Sequence, residues 1–337
     1  MNFLRNLAAA AALAGLASTA SAVDGLVVFG DSLSDTGNVA ALVGSNPAQV
    51  ITGNTYIPSQ PYASGQFTNG DVWVKTFANA IGLGSFAGPW IPGTGSNFAF
   101  GGARVTPDSG DQPPSLQTQQ GMFLGNAPGN VAPSSFLYVI EGGGNDARDA
   151  LAAAAVADPV TAAAVIAFAA NTYAQEIGAM VDQLQAAGGQ DIVVWNVPNL
   201  ALAPAVTAQG AGASFLAGLV AQAMNTALAA RLALESDVLL FDLFGFQNSI
   251  AANPGAFGLS NVTDACGAAP NCDPSTYLFW DGIHPTSAGH ALLAQEMLEQ
   301  TALITAVPEP ETYALMLAGL GAMAVFSRRK KRRAAAV

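Results

Sequence analysis

The chain predicts an α/β fold with a parallel sheet and helices on both faces. Short apolar runs recur along it, longer stretches of helical apolar periodicity separate them, and residues suited to chemistry cluster just after the runs. Residues 26–29 read as the first buried strand and residues 97–100 as a weaker one. Residues 136–140, 191–197 and 237–241 supply the remaining strands. Between them, residues 173–187 and 215–234 carry long apolar periodicity, and residues 287–298 read as a further helix. The alanine-rich stretch 147–170 is also helical, with Asp158-Pro159 as a break or a helix start. No linker interrupts this middle region, so residues 23–306 form one domain with chain enough for a closed core.

The sharpest local signal is Phe29-Gly30-Asp31-Ser32-Leu33-Ser34-Asp35. An apolar strand runs into a glycine that permits a sharp turn, which lifts the Ser32 hydroxyl to the C-terminal end of the sheet, where open α/β sheets bind ligands. A serine hydroxyl barely ionises near neutral pH. As a nucleophile it needs a neutral imidazole to take its proton and a carboxylate to fix that imidazole's tautomer. Asp281 and His284 in Trp280-Asp281-Gly282-Ile283-His284-Pro285 fill both roles from one short loop. The chain has two histidines. His290 lies in the helical stretch, about 240° away from His284 at about 100° per residue, and reads as a helix-packing residue.

An ester hydrolase must also stabilise a developing oxyanion. The backbone N–H of Ser32, a backbone N–H from the paired glycines Gly101-Gly102 and the side-chain amide of Asn145, in Gly142-Gly143-Gly144-Asn145-Asp146, give three donors, each in a loop after a strand. Competing chemistry has little support. The sequence contains no Gly-x-Ser-x-Gly elbow, Walker loop, Rossmann glycine fingerprint or His-Glu-x-x-His, and no metal or cofactor is expected. The loop 44–69 is long and polar, and is placed to shape a substrate cleft. Tyr56, Tyr62, Trp73 and Trp280 are aromatic candidates for a cleft wall, each also suited to core or rim.

These four blocks, Gly30 to Asp35, Asn97 to Ala103, Gly143 to Asp146 and Asp281 to Pro285, resemble those of the SGNH hydrolases of the GDSL esterase and lipase family, and the likeness spans about residues 25–303. It implies a flavodoxin-like SGNH-hydrolase fold with a five-stranded parallel sheet in the order 2-1-3-4-5. It also implies Ser32 as nucleophile, Asp281 and His284 as the other triad members, and Ser32, Gly102 and Asn145 as oxyanion donors. Gly101 is the alternative to Gly102, which the five-residue offset from Asn97 in the family pattern favours. The implied activity is hydrolysis of lipid, lysophospholipid or acetylated-carbohydrate esters. Acyl transfer through the same acyl-enzyme and a non-catalytic surface or matrix protein on the same scaffold are the rival readings.

Both ends of the chain indicate export. Arg5, the apolar core 7–16 and Ala20-Ser21-Ala22 form a signal peptide over residues 1–22, so the mature chain is expected to start at Val23. Pro308-Glu309-Pro310, the apolar run 313–326 and the basic cluster 328–333 resemble a bacterial PEP-CTERM sorting signal over residues 307–337. At 1.5 Å per residue, residues 312–327 make a helix of about 24 Å, close to a bilayer core, with the basic cluster held on the cytoplasmic side. The expected partners are the export machinery, signal peptidase, an exosortase and the ester substrate, with transient membrane contact through the apolar run. Cell surface, matrix or medium is the expected destination.

In an oxidising compartment Cys266 and Cys272, in a loop rich in Gly, Pro and Asn that leads to Asp281, are expected to be bridged. Residues 23–306 carry four basic side chains, Lys75, Arg104, Arg148 and Arg231, against 21 acidic ones, a net charge of −17. Such a body repels nucleic acid, anionic lipid surfaces and polyanionic substrates.

Overall fold

The computed structural model describes residues 23–108 and 110–305. The expected signal peptide and the sorting segment from residue 307 onward lie outside the described residues. Residues Val23–Thr301 make up one contact-dense unit.

Its centre is a sheet of four parallel strands in the order β1 (Gly25–Phe29), β2 (Phe136–Ile140), β3 (Asp191–Trp195) and β4 (Val238–Phe241). Every residue of β1 is buried, which is why the run is continuously apolar instead of alternating. Successive side chains serve opposite faces. Val27, Phe29, Tyr138, Ile140, Ile192 and Val194 pack in one core with Phe98, Phe123 and Ile177. Trp195 belongs to the other face, where its ring lies 4.6 Å from Trp73 and 4.2 Å from Phe241.

The helices follow their local signals. In α1 (Asn38–Val43), α2 (Trp73–Ala80) and α3 (Leu116–Asn126), the apolar residues Trp73, Val74, Phe77, Leu116 and Phe123 turn inward. The alanine-rich region splits into α4 (Gly144–Ala155) and the 28-residue α5 (Pro159–Ala186). Asp158 caps α5 by accepting from Val160 and Thr161 N–H, with Pro159 in the first turn, where a missing N–H costs nothing. A short α6 (Pro204–Thr207) precedes α7 (Ala211–Leu232), and α8 (Leu243–Ala252) follows β4. The last helix of the unit, α9 (Ser287–Gln300), starts at a Thr286 cap that accepts from Gly289 N–H.

The sheet departs from expectation. Instead of one five-stranded sheet there are the four strands above and a separate parallel pair, β5 (Asn261–Ala265) with β6 (Tyr277–Phe279). The segment expected as the weaker strand, residues 97–100, runs along β1 and exchanges hydrogen bonds with it: Val28 N–H to Ser96 O (3.3 Å), Phe98 N–H to Val28 O (2.7 Å) and Phe100 N–H to Gly30 O (3.1 Å). It registers only as isolated bridges, of Asn97 with Val28 and with Pro89. The physical reason is that its other backbone groups are taken by the backbone of Gly88 and Trp90 and by side-chain amides. The buried Asn38 donates to both Asn97 O and Ala99 O at 2.8 Å, and Asn97 Oδ1 takes the Ala99 N–H at 2.9 Å. Side chains thereby close an edge that would otherwise invite another strand.

β1 and β2 are in register from Gly25 opposite Phe136 to Phe29 opposite Ile140, and Ile140 stands opposite Val194. The turns carrying Ser32 and Asn145 therefore leave the sheet at the same edge.

Asn38 also accepts the Ile91 N–H at 2.9 Å, so Asn38→Ala would leave Ala99 O and Ile91 N–H without partners, whereas Asn97 O keeps the Trp90 N–H. The expected loss is about 1–3 kcal/mol or more. It would be read as a lower urea midpoint with an unchanged slope.

Candidate active site

The turn after β1 is pinned from two sides. Gln119 brackets Gly30, its Oε1 accepting the Gly30 N–H at 2.8 Å and its Nε2 donating to Gly30 O at 2.9 Å. Glu141, the residue after β2, accepts from Asp31 N–H (3.3 Å) and Ser34 Oγ (2.8 Å). A Cβ on Gly30 would lie 2.8 Å from Glu141 Oε2 and 3.0 Å from Glu141 O, so only glycine fits this close approach. Asp31 Oδ1 then accepts Leu33 N–H, and Asp31 O accepts from Ser34 and Asp35 N–H, closing a turn with Ser32 at its tip, at the floor of the cleft.

His284 arrives from the loop between β6 and α9. Its Nε2 lies 2.9 Å from Ser32 Oγ and its Nδ1 lies 2.7 Å from Asp281 Oδ2. Asp281 is fully buried. Its Oδ1 accepts the Ile283 and His284 N–H groups at 2.8 and 2.7 Å, which fixes the carboxylate on the same short loop as the imidazole it orients. The Phe67 ring packs 5.5 Å from the imidazole. An Nδ1–H donated to Asp281 leaves Nε2 as the acceptor facing the serine hydroxyl.

The structure assigns each oxyanion candidate a distinct environment. The Ser32 and Gly102 N–H groups donate to nothing among the described residues, whereas Gly101 N–H is held by Asp35 Oδ2 at 3.0 Å. Of the two glycines, Gly102 therefore has the free donor. Its φ of +86° turns it into the left-handed region. Asn145 Nδ2 donates to Ala103 O at 2.9 Å and, at 3.3 Å, to Asp31 Oδ2, while its Oδ1 accepts from Arg148 Nη1 at 3.2 Å. The amide is thereby oriented with its nitrogen inward, beside the turn that carries Ser32.

Three residues belong to this assembly through contacts that cross the chain. Tyr62, 219 positions before Asp281, donates its hydroxyl to Asp281 Oδ2 at 2.7 Å, so that oxygen is shared between a phenol and the imidazole. Burial, reinforced by the Asp281 charge, pushes the Tyr62 hydroxyl far up, and it stays a donor. Asp35 gathers N–H groups from Gly37, Asn38, Val39 and Gly101, tying the nucleophile's turn to the glycine pair. Glu141 ties the same turn to β2. Burial, with Asp31 alongside, raises its carboxyl well above the ordinary range.

The cleft at Ser32 has two arms. One is apolar, with Leu33, Leu200, Ala203, Phe279 and Ile283 on its walls. The other runs past Gly101 and Gly102 and is walled by Ile57, Pro58 and Phe67, so the loop 44–69 does shape it. Of the four aromatic candidates, Tyr62 and Trp280 meet edge to face behind Asp281 with ring centres 6.1 Å apart, Tyr56 packs beside them, and Trp73 lies in the core. Phe67 and Phe279 form the aromatic wall instead. His290 is buried in α9, and burial pushes it down to about 3, which keeps it neutral. Cys266 and Cys272 are joined by a disulfide ahead of β6. Among the described residues no group of three or more His, Cys, Asp or Glu is arranged to hold a metal ion.

The sequence profile of the GDSL-like lipase/acylhydrolase family matches residues 26–297, and that of the PEP-CTERM protein-sorting motif matches residues 306–333. The chain is 28% identical over 308 residues to an uncharacterized protein of the trpE-trpG intergenic region of Pseudomonas putida, a match covering 81% of this chain and 48% of that one. It is 25% identical over 316 residues to a GDSL esterase/lipase of Arabidopsis thaliana (83% and 89% covered). It is 29% identical over 364 residues to the esterase EstA of Pseudomonas aeruginosa (91% and 52% covered). The chain thus spans about half the length of these two Pseudomonas relatives.

Two outcomes are expected from this geometry. Tyr62→Phe removes one donor from Asp281 and concentrates negative charge on the oxygen facing His284. The acidic limb of the kcat/KM profile should then move to higher pH, and an unmoved limb with only a lower Tm would make Tyr62 a packing residue. The second concerns Asp31, Asp35 and Asp146, each pushed up to about 6, in each case chiefly by burial. An unfolded aspartate titrates near ~3.9, so between about pH 4 and 6 the folded protein binds more protons than the unfolded chain, and its stability falls as pH rises through that window. Thermal unfolding at pH 5 should therefore give a higher Tm than at pH 7.5.

Proposed function

The chain belongs to the GDSL-like lipase/acylhydrolase family, and from that premise we propose that it is an exported serine hydrolase cleaving carboxylic esters through an acyl-Ser32 intermediate. The observation that carries this reading is the hydrogen-bonded sequence Ser32 Oγ, His284 Nε2, His284 Nδ1, Asp281 Oδ2 at the mouth of a partly apolar cleft.

Ser32 Oγ attacks the ester carbonyl carbon while its proton passes to His284 Nε2. The carbonyl electron pair moves to oxygen, which the Ser32 and Gly102 N–H groups and the Asn145 amide receive. Collapse breaks the bond to the alcohol, which leaves with the proton from His284. Water then attacks the acyl-enzyme with His284 as its base, and Ser32 recovers its proton. Asp281 keeps the imidazole in one tautomer and stabilises the imidazolium. The buried position of Asp281, with donors on both oxygens, supports that role.

In the same reading the segment 96–100, hydrogen-bonded along β1, stands for the second strand of a flavodoxin-like order 2-1-3-4-5. Residues 1–22 are the signal peptide, residues 23–306 the hydrolase domain, and residues 307–337 the sorting segment, an assignment supported by the PEP-CTERM match. An exosortase would remove the apolar run and release the domain to the cell surface or matrix.

Ser32→Ala should abolish both ester hydrolysis and labelling by a fluorophosphonate with the fold intact by circular dichroism; wild-type turnover would refute the triad. Asn145→Ala should lower kcat by about 10²- to 10³-fold, because the donor acts mainly on the transition state. A rise in KM alone would assign Asn145 to substrate binding. In an exosortase-bearing host, intact-mass analysis of surface material should give Val23 as the first residue and no residues from about Thr312 onward.

A further inference from the structure

Three of the four basic side chains of residues 23–306 are spent on acids. Lys75 pairs with Asp71, Arg104 with Asp149, and Arg231 with Asp182 and Glu235. Arg148 pairs with none. Its one hydrogen bond, to the neutral Asn145 Oδ1, uses a single N–H of a group that carries five. The side chain is half-buried on α4, one turn beyond Asn145, and it borders both arms of the cleft together with Ser32 and His284. Asp31 shares that wall and feels the Arg148 charge, but its carboxylate oxygens are engaged by Leu33 N–H and Asn145 Nδ2, and among the described residues no carboxylate lies within ion-pair distance of Arg148.

A guanidinium without a direct ion pair, held at the reactive end of a cleft in a domain of net charge −17, is a local reversal of the prevailing field. The surrounding charge repels polyanions, yet this one group can accept a single anion in a planar, two-pronged contact. We propose that the cleft takes esters bearing one anionic group, a carboxylate or a phosphate, near the scissile bond, and that Arg148 binds that group. The proposal rests on the esterase reading and names the substrate class for it. The anion comes from the acyl side or from the alcohol side, and the two are separated by the choice of probe.

The test compares kcat/KM for two matched pairs of esters, one charged and one neutral in each. 4-Nitrophenyl hemiglutarate against 4-nitrophenyl butyrate places the charge on the acyl side, and 4-carboxyphenyl butyrate against phenyl butyrate places it on the alcohol side. In the pair whose charge reaches Arg148, the wild type should favour the anionic ester. Arg148→Gln should cut the anionic-to-neutral ratio by about 10- to 100-fold, chiefly through KM, the worth of a hydrogen bond between charged groups. Arg148→Lys should restore part of it, keeping the charge but not the fork. Any effect through Asn145 falls on both esters of a pair and cancels in the ratio. Equal losses on both esters, with every ratio unchanged, would overturn the proposal and leave Arg148 as a support for Asn145. Calorimetry with glutarate and with inorganic phosphate separates this inference from the reading beneath it. If the wild type hydrolyses none of the four esters yet binds either anion in a manner lost in Arg148→Gln, the esterase reading falls and the anion site stands. Binding of neither anion, or binding that Arg148→Gln leaves intact, overturns the site.

Discussion

One buried carboxyl group holds together what the sheet only brings near. Glu141 directly follows β2 and receives hydrogen bonds from the Asp31 backbone and the Ser34 hydroxyl, residues 110 and 107 positions earlier. Trp73 Nε1 donates in turn to Ser34 Oγ, so the contact reaches through to the aromatic stack on the far face of the sheet. The missing side chain of Gly30 makes this approach possible. Everything downstream depends on it, because the turn that presents Ser32 and the helix that presents Asn145 both leave from this junction. Parallel strands fix spacing along the sheet edge; Glu141 fixes the angle at which the first turn departs.

The same region concentrates acids in the interior. Asp31, Asp35 and Glu141 are buried and Asp146 is half-buried, and burial raises all four above the ordinary carboxylic range. Each holds backbone or hydroxyl donors of the loops around the cleft, so ionisation costs solvation and returns loop order. Fold stability near neutral pH is thus lowered at the place where geometry has to be held most tightly. The positively charged Arg148 faces the cleft just above this layer, and its field favours the charged form of Asp31.

How much of this could be read from the sequence follows from how local each feature is. Ser32, Asp281 and His284 were legible because each sits in a short block whose neighbours explain its position, and Asp281 and His284 share one loop. The choice of Gly102 over Gly101 rests in the sequence on the five-residue offset from Asn97 alone, and the structure adds that Asp35 takes the Gly101 N–H. Tyr62 was visible only as an aromatic residue in a long loop; its partner lies 219 positions away, and no periodicity encodes that. The four central strands were legible as apolar runs. Residues 97–100 were read as a fifth, and what diverts them is the reach of Asn38 from another element. The β5–β6 pair was invisible, since Asn261–Ala265 is polar and largely exposed and offers neither alternation nor a buried run.

Ser32 and His284 meet across 252 positions, almost the full span of the domain. During synthesis Ser32 emerges first and His284 among the last residues of the domain, so an N-terminal fragment, however well collapsed, lacks the imidazole that faces the serine. Loop closure on this scale is also among the later events of folding, since its entropy must be met before the contact yields anything. The order of the chain thereby acts as a safeguard in time: Ser32 has no imidazole facing it until the last structural element of the domain has docked.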